Sequence, residues 1–193
     1  MYRSANPAFQ PLKNAIFAAC TQGEYRTVQA LEQRAWAIAQ ASGNPSDQAE
    51  AHWCAGLARM HRERAVTRAH FDVTYAHYRD DPVLAARVQV NRGPLLARLG
   101  RVDAGVEALA EAEAILREHA LFDRLPPLLI NRSELEARRG QYHAMLAYAR
   151  EAEQAALRCA SESLVVIAWI NQAFAAMFLG DLALTAIAIL NWL

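Results

Sequence analysis

Apolar residues recur along most of the chain at steps of three and four residues, which is the period of an amphipathic helix. Alanine, with 41 of the 193 residues, takes many apolar positions and lets neighbouring helices approach closely. Four stripes predict the inward faces of helices: Tyr25, Val28 and Ala35; Val66, Ala69, Val73 and Ala76; Val102, Val106, Leu109, Ala112 and Leu116; Tyr142, Met145, Ala149 and Ala152. We therefore expect an all-α protein.

A forty-residue period arranges these helices as hairpins. Gly100, Gly140 and Gly180 are forty residues apart, and each lies between two apolar helical segments. Glycine readily takes the left-handed conformation that ends a helix, so each glycine predicts a turn between two helices. Gly23 predicts an earlier turn, and the glycine-free stretch His61–Glu63 a degenerate one. The expected hairpins, in a single solenoid, cover about residues 6–42, 44–79, 81–120, 124–160 and 162–193, the last one truncated.

Asparagine marks the same position in most of the hairpins. Asn14, Asn91, Asn131 and Asn171 each stand nine residues before the turn, and His52 takes this place in the second hairpin. This recurrence is independent of the glycines, so it fixes the register of the first helix in every hairpin.

The connections contain signals for helix starts. Asp47 with Glu50 three residues later predicts a capping box, and Asp81 before Pro82 predicts a cap followed by a proline in the first turn. Leu125–Pro127 interrupts one helix and begins the next. These signals agree with the division into hairpins.

The helix end in Leu-Gly or Arg-Gly, followed by a polar residue and then Tyr, Val or Leu, resembles the tetratricopeptide repeat. The period exceeds the usual about 34 residues, and forty-residue copies resemble those of MalT-type transcription activators and some diguanylate cyclases. HEAT and armadillo repeats have a similar period, but the turn pattern disfavours them. The resemblance implies a right-handed superhelix whose first helices line a groove for peptides or partner domains. It implies no enzymatic activity.

Groove-facing positions follow from this register. The residues nine and two before each turn lie on one helical stripe, and Arg87, thirteen before its turn, extends it. The predicted peptide-binding residues are Asn14, His52, Asn91, Asn131, Asn171, Arg59, Arg87, Arg98 and Arg138. Asparagine can bond an extended backbone and arginine a carboxylate, so we expect an extended or acidic ligand. The alternatives are that the asparagines bond between neighbouring repeats and that the arginines are solvated.

Charge and cysteine content narrow the classes of partner. Twenty basic and twenty acidic residues cancel, which disfavours nucleic acid as the main ligand. Cys20, Cys54 and Cys159 are odd in number and lie in apolar helical patterns, so we expect buried thiols in a reducing cytoplasm. The first residues lack the apolar core of a signal peptide.

No reaction-specific motif stands out. Glu63, His70 and His77 lie seven residues apart on one predicted helix, which is too wide for a single metal ion. No phosphate-binding loop or nucleophile motif is found. We expect no catalytic residues, no metal site and no cofactor.

The end of the chain is apolar. Between Leu164 and Leu193 the only charged side chain is Asp181, and the two segments that it divides are shorter than the about twenty residues of a membrane span. We expect a final hairpin outside any membrane, with an apolar surface that needs a cover. The prediction is a homodimer through Trp169, Phe174, Phe178, Ile187, Ile189 and Trp192.

These observations favour a sensor or interaction module of a bacterial regulatory protein that binds another polypeptide. The alternative is a constitutive structural adaptor that joins proteins without switching. A small-molecule or metal-dependent enzyme is the third and weakest hypothesis.

Overall fold

The computed structural model describes residues 5–60 and 62–192, with the side chains of Ile189, Asn191 and Trp192 left out. His61 of the degenerate turn and Leu193 of the last hairpin lie outside the described residues. The described helices are α1 Phe9–Thr21, α2 Tyr25–Ser42, α3 Pro45–Arg59, α4 Arg64–Tyr78, α5 Pro82–Arg98, α6 Val102–Glu118, α7 Leu125–Arg138, α8 Tyr142–Arg158, α9 Glu162–Leu179 and α10 Leu182–Trp192. A single 3₁₀ turn, Phe122–Arg124, precedes α7, and the described residues contain no strand. The predicted all-α class is confirmed.

Left-handed glycines separate the two helices of four of the five described pairs, all except α3 and α4. The φ angles are 73° at Gly23, 83° at Gly100, 71° at Gly140 and 76° at Gly180. Glycine takes this conformation without the steric cost of a Cβ atom, so the glycines end α1, α5, α7 and α9 as predicted.

Two compact units make up the chain, Met1–Val88 and Gln89–Leu193, which we call the first and second unit. The first unit holds α1 to α4 and the start of α5, and the second unit holds the rest of α5 and α6 to α10. Within the first unit, α1 packs against α2 and α3, and α3 packs against α4. Within the second, α7 contacts α6, α8 and α9, and α9 contacts α8 and α10. Helices α1 and α3 of the first unit therefore lie side by side, as do α7 and α9 of the second.

The inward face of α4 differs from the prediction. Val66 is 42% exposed and Val73 is 46% exposed, and Ala69 and Ala76 are exposed as well. The buried residues of α4 are Thr67, Phe71, Thr74 and Tyr78. The valines suggested the wrong face because two of the buried residues are threonines. The hydroxyl of Thr74 donates to the carbonyl of Ala49 at 3.2 Å, which satisfies its polar group inside the core.

The second predicted face that needs correction is that of α2, where Tyr25 is 54% exposed while Val28 and Ala35 are buried. Tyr25 is the first residue of the helix, and the guanidinium of Arg62 lies over its ring at 4.8 Å.

In the second unit the stripes of α6 and α8 are confirmed at their central residues. Those buried residues are Leu109, Ala112, Leu116, Met145, Ala149 and Ala152.

Two helices of the second unit cross with their backbones nearly in contact. A Cβ atom added to Gly105 of α6 would lie 2.6 Å from the carbonyl oxygen of Gly93 in α5. A Cβ atom added to Gly93 would lie 2.6 Å from Cγ of Leu109. The α5–α6 contact therefore requires glycine at both positions.

The predicted helix starts are only partly correct. Asn44 caps α3, where its Oδ1 accepts the backbone N–H two residues later at 3.0 Å. Asp47 and Glu50 are buried inside α3, so the predicted capping box is wrong. Asp81 accepts the N–H of Leu84 at 3.0 Å, which confirms the cap of α5.

Three of the second helices, α2, α6 and α8, are also followed by left-handed residues. Gly43 after α2 has φ of 60°, and the equivalent positions after α6 and α8 are Ala120 and Ala160, with φ of 54° and 52°. A left-handed alanine is strained, and no glycine marks these two helix ends in the sequence.

The cysteines occupy three different environments. Cys54 is fully buried, and burial raises the pKa of its thiol to about 12. Cys20 is half-buried. Cys159 is exposed just after α8, so the expectation of buried thiols is wrong for this residue.

Candidate functional site

One face of each first helix is directed largely to solvent. Residues thirteen, nine, six and two positions before a turn are separated by steps of four, three and four, so they share that face. Ala55 and Asn171 are the buried exceptions among these positions. The face comprises Gln10, Asn14, Phe17 and Thr21 of α1; Gln48, His52, Ala55 and Arg59 of α3; Arg87, Asn91, Pro94 and Arg98 of α5; Pro127, Asn131, Glu134 and Arg138 of α7; and Ile167, Asn171, Phe174 and Phe178 of α9.

A cleft of about 430 Å³ lies at the amino-terminal ends of the first helices in the first unit. Its walls come from α1, from α3, from the last residue of α4 and from the start of α5. The polar lining residues are Asn6, Gln10, Lys13, Ser46, Glu50, Tyr78, Asp81 and Arg87.

A buried polar trio forms one wall of this cleft. Lys13 donates from Nζ to Glu50 Oε2 at 2.6 Å, and the hydroxyl of Tyr78 donates to Glu50 Oε1 at 2.8 Å. The three residues are 7%, 5% and 3% exposed, in that order. The ammonium of Lys13 also lies 3.9 Å from the ring centroid of Trp53. Helices α1, α3 and α4 are thus joined through one carboxylate.

Burial dominates the electrostatics of the trio. Burial lowers the pKa of Lys13, and the charge of Glu50 acts in the opposite direction. Burial raises the pKa of Tyr78, and the charge of Glu50 raises it further. The carboxylate of Glu50 therefore favours the charged form of the ammonium and the protonated form of the phenol.

Two of the predicted binding residues, Asn14 and Arg87, bond to the same cleft residue, Gln10. Arg87 donates from Nη2 to Oε1 of Gln10 at 2.9 Å, and Gln10 donates from Nε2 to Oδ1 of Asn14 at 3.0 Å. The guanidinium of Arg87 also lies 5.5 Å from the ring of Trp53. Gln10 therefore connects the predicted positions Asn14 and Arg87.

The predicted residues of α3 are engaged with neighbouring helices. Nδ1 of His52 lies 2.9 Å from Nδ1 of His70, and Trp36 contacts the His52 ring edge-on at a centroid distance of 5.0 Å. Burial lowers the pKa of both histidines. Arg59 forms an ion pair with Glu32 of α2.

The asparagines of the second unit have unlike surroundings. Asn131 donates from Nδ2 to the carbonyl of Val90 in α5 at 2.9 Å, a bond between neighbouring repeats of the kind left open in the sequence. Asn171 is 7% exposed, and its Nδ2 has no hydrogen-bond partner within residues 5–60 and 62–192. Asn91 is half-buried.

Arginines and one carboxylate occupy the exposed face of α5 and α7. Arg138 is exposed, and Arg98 is half-buried. Desolvation raises the pKa of the Glu134 carboxyl, and the positive charges of Arg98 and Arg138 act to lower it. The charges of Arg98 and Arg138 therefore both act on the carboxylate of Glu134.

The residues predicted for self-association lie on two helices, α9 and α10, and differ in exposure. Trp169 donates from Nε1 to Glu153 at 2.8 Å and is half-buried. Phe174 and Phe178 are 51% and 56% exposed on α9, whereas Ile187 is 56% exposed on α10. The side chains of Ile189 and Trp192 lie outside the description.

The sequence alone did not identify the trio of Lys13, Glu50 and Tyr78 as a site. Lys13 is the only lysine in the chain, which was a signal, but its place ten residues before Gly23 lies outside the predicted stripe. Glu50 was assigned to a helix cap, and Tyr78 showed no pattern. Their association depends on how three helices meet, which spacing along the chain does not reveal.

Two further features concern a membrane span and a metal site. Among the described helices, α9 alone is long and apolar enough to span a bilayer, with a mean hydropathy of 1.5 and a third of its residues buried. A core helix of a soluble protein meets the same criteria. Within residues 5–60 and 62–192, no three His, Cys, Asp or Glu side chains come together as metal ligands do.

Consecutive helix pairs with adjoining first helices define an all-α, tetratricopeptide-like fold. The crystal structure of PilW, a widely conserved type IV pilus biogenesis factor, is similar, with a TM-score of 0.55. The alignment covers 95% of this chain and 91% of that chain at 12% sequence identity. At this identity the likeness shows the fold. No protein-family model and no curated protein matches the chain.

Proposed function

We propose that this chain is a protein- or peptide-binding module rather than an enzyme, and that its ligand lies against the exposed faces of the first helices. The observation that supports this most directly is the cleft of the first unit. Polar side chains from three successive first helices, among them Gln10, Glu50 and Arg87, line one space of about 430 Å³.

The chemistry of the cleft suits an extended or acidic polypeptide segment. Amide and hydroxyl groups at Asn6, Gln10 and Ser46 can bond a peptide backbone. Arg87 is half-buried, and its planar guanidinium can bind a carboxylate through two parallel hydrogen bonds. The buried trio beneath fixes three helices in place, which lowers the ordering cost of binding.

Selection from a phage-displayed library of random peptides, followed by calorimetric titration of the selected peptides, tests this function. We expect enrichment over an unrelated helical protein, and Arg87→Ala should weaken binding about tenfold, the equivalent of about 1.4 kcal/mol. Arg68→Ala is the matched control because Arg68 is an exposed arginine of α4 outside the cleft. Absence of enrichment, or equal binding by Arg87→Ala, would contradict the proposal.

Within this function we propose the setting of a bacterial regulatory protein, a transcription activator or a diguanylate cyclase, in which binding is sensed. The forty-residue period and its resemblance support this interpretation. The coding sequence downstream of Leu193 tests it: a helix-turn-helix or nucleotide-cyclase pattern would support a regulator, and a stop codon would contradict it.

A constitutive adaptor is the second candidate, and the similarity to PilW, a pilus biogenesis factor, favours it. Hydrogen exchange distinguishes the two. A sensor should show altered amide protection far from the bound peptide, whereas an adaptor should show protection at the contact alone.

We further propose a homodimer through the exposed apolar face of α10. Leu182, Ile187 and Leu190 are 78%, 56% and 68% exposed, and such a patch is a common mark of an interface. Sedimentation should show a dimer that Ile187→Glu dissociates. A monomer at all concentrations would contradict this.

The proposed setting is the cytoplasm, without nucleic acid or membrane as partner. The even balance of basic and acidic residues supports the first exclusion. Filter binding to DNA and RNA, and flotation with lipid vesicles, test the two exclusions separately.

A further inference from the structure

Three exposed apolar residues of α9 lie on the face of the first helices that we propose for the ligand. We call Ile167, Phe174 and Phe178 the α9 patch; they are 37%, 51% and 56% exposed. They stand thirteen, six and two residues before Gly180, the same register as Arg138 and Glu134 of α7. The exposed residues of α10 are on a different helix. The α9 patch and the exposed residues of α10 thus belong to different helices of one hairpin.

One ring of the α9 patch is held in place before any ligand arrives. Phe178 stacks on Tyr142, with 4.5 Å between ring centroids and 9° between ring planes. Tyr142 is half-buried at the start of α8. A fixed aromatic surface that keeps half of its area exposed loses little conformational entropy on binding.

Positive charge adjoins the α9 patch. Helices α7 and α9 pack against each other, and Arg138 occupies in α7 the register position that Phe178 has in α9. Arg98 holds the same position in α5, and the charges of both arginines act on Glu134. Arg138 is exposed at the end of α7, so its guanidinium is accessible to a carboxylate of another chain.

We propose that the α9 patch and Arg138 together bind an internal segment of a partner protein that carries an aromatic or large aliphatic residue near a carboxylate. Packed helices have axes about 8–10 Å apart, and an extended chain rises about 3.3 Å per residue. The apolar anchor and the carboxylate should therefore be about three residues apart in the segment. This inference rests on the proposed function and names the class of partner.

A lipid surface fits the α9 patch less well. An anionic membrane is held by a cluster of about four to eight basic residues. No Lys or Arg occurs between Leu164 and Leu193, and Arg98 and Arg138 on the preceding first helices are fewer than such a cluster. A short acidic and aromatic segment meets both the ring surface and the charge.

Fluorescence anisotropy with labelled peptides tests the proposal. The probe is a Gly/Ser peptide of about ten residues with Phe and Glu three positions apart, compared with a Phe→Ala peptide and a Glu→Lys peptide. We expect the Phe/Glu peptide to bind best. Phe174→Ala and Phe178→Leu should each weaken it, the first about tenfold or more. Arg138→Glu should weaken the Phe/Glu peptide and strengthen the Phe/Lys peptide.

Leu157→Ala is the control, because it removes an equally exposed apolar side chain, 54% exposed on α8, and should leave peptide binding unchanged. Thermal unfolding of each variant checks that the fold is retained. No difference among the three peptides up to about 1 mM, the weak limit of specific association, would overturn the proposal.

Two further results would also overturn it. Vesicles of phosphatidylcholine and phosphatidylglycerol that bind the protein through Phe174 regardless of the charge at position 138 would assign the α9 patch to lipid. A dimer that Phe178→Asp dissociates would assign it to a second copy. If the α9 variants bind library-selected peptides normally while Arg87→Ala does not, this inference fails and the proposed function stands.

Discussion

The side-chain amide of Asn131 in α7 donates to the backbone carbonyl of Val90 in α5, 2.9 Å away, and this is the carbonyl that Pro94 leaves without a helical donor. In an α-helix each carbonyl accepts from the N–H four residues later, and proline has none. A neighbouring repeat thus supplies the hydrogen bond that α5 lacks. Asn131 therefore has a structural role in this position.

Asn131→Ala should lower the free energy of unfolding by about 1–2 kcal/mol, because the buried carbonyl of Val90 loses its donor. In a Pro94→Ala background the helix provides its own N–H, so the same substitution should cost markedly less. A double-mutant cycle in urea measures this coupling, with the exposed Asn14→Ala as control. Additive effects would contradict the account.

Glycine substitutions should rank by what the new Cβ atom meets. Gly105→Ala should destabilise by about 3 kcal/mol, since its Cβ atom would press on the backbone of α5. Gly180→Ala should cost only about 1 kcal/mol, because the space is open and only the left-handed conformation is strained. Denaturant titration of both variants checks the order, and an equal cost would argue against the close helix crossing.

Ala160→Gly should stabilise the protein by about 1 kcal/mol, because it relieves a left-handed alanine with φ of 52°. The matched control is Ala147→Gly, an exposed position within α8, which should destabilise by about 0.5–1 kcal/mol. Thermal melting should show shifts of opposite sign for the two variants. A loss of stability in Ala160→Gly would mean that the strain is absent.

The buried pair of Lys13 and Glu50 should be costly to break and cheap to replace. Lys13→Met leaves a buried carboxylate without its cation and should destabilise by about 3–5 kcal/mol. Adding Glu50→Gln removes that charge yet keeps an acceptor for Tyr78, so most of the loss should be recovered. As a control, Arg68→Ala breaks an exposed pair with Asp72 and should cost under about 0.5 kcal/mol. Failure of the double variant to recover would place the effect elsewhere.

The hydrogen bond between His52 and His70 should make stability depend on pH. Burial lowers the pKa of both; the charges of His52 and Arg59 lower that of His70 further, while Glu32 and Glu63 oppose them. Unfolded histidines bind protons near pH 6.5, so the contribution is complete above that value and is lost as pH falls below it.

Melting temperatures measured between pH 7.5 and pH 5 check this, because the wild-type protein should lose stability over a range where His70→Gln loses less. His143→Gln, at an exposed position of α8, is the control and should behave as the wild type. Parallel curves for all three proteins would contradict a role for the pair.

The fold was readable from the sequence because its determinants are local and repeated. Gly100, Gly140 and Gly180 occur where the backbone needs a left-handed residue, and that need depends on each turn alone. The stripe of α4 was not readable, since its buried residues include the polar Thr67 and Thr74. The hydroxyl of Thr74 is satisfied by the carbonyl of Ala49, a bond that forms only once α3 is in place. The ends of α6 and α8 could not be predicted from glycine either. Ala120 and Ala160 take the left-handed conformation there, and the structure tolerates the strain.

The cleft could be predicted only in part. Arg87 was singled out by register and does lie at the cleft. Lys13, Glu50 and Tyr78 come from three helices, and their meeting depends on packing rather than on spacing in the chain. For Asn131 the structure shows the alternative that the sequence left open, because its side-chain amide bonds a neighbouring helix.

The burial of Lys13 has a practical consequence for mapping this protein with chemical probes. Since this is the only lysine in the sequence and is 7% exposed, amine-directed cross-linkers will find almost no side chain to modify. Reagents that target carboxylates or arginines have many sites, and the exposed thiol of Cys159 accepts a single dye near the last hairpin. Complexes of this chain are best captured through those groups.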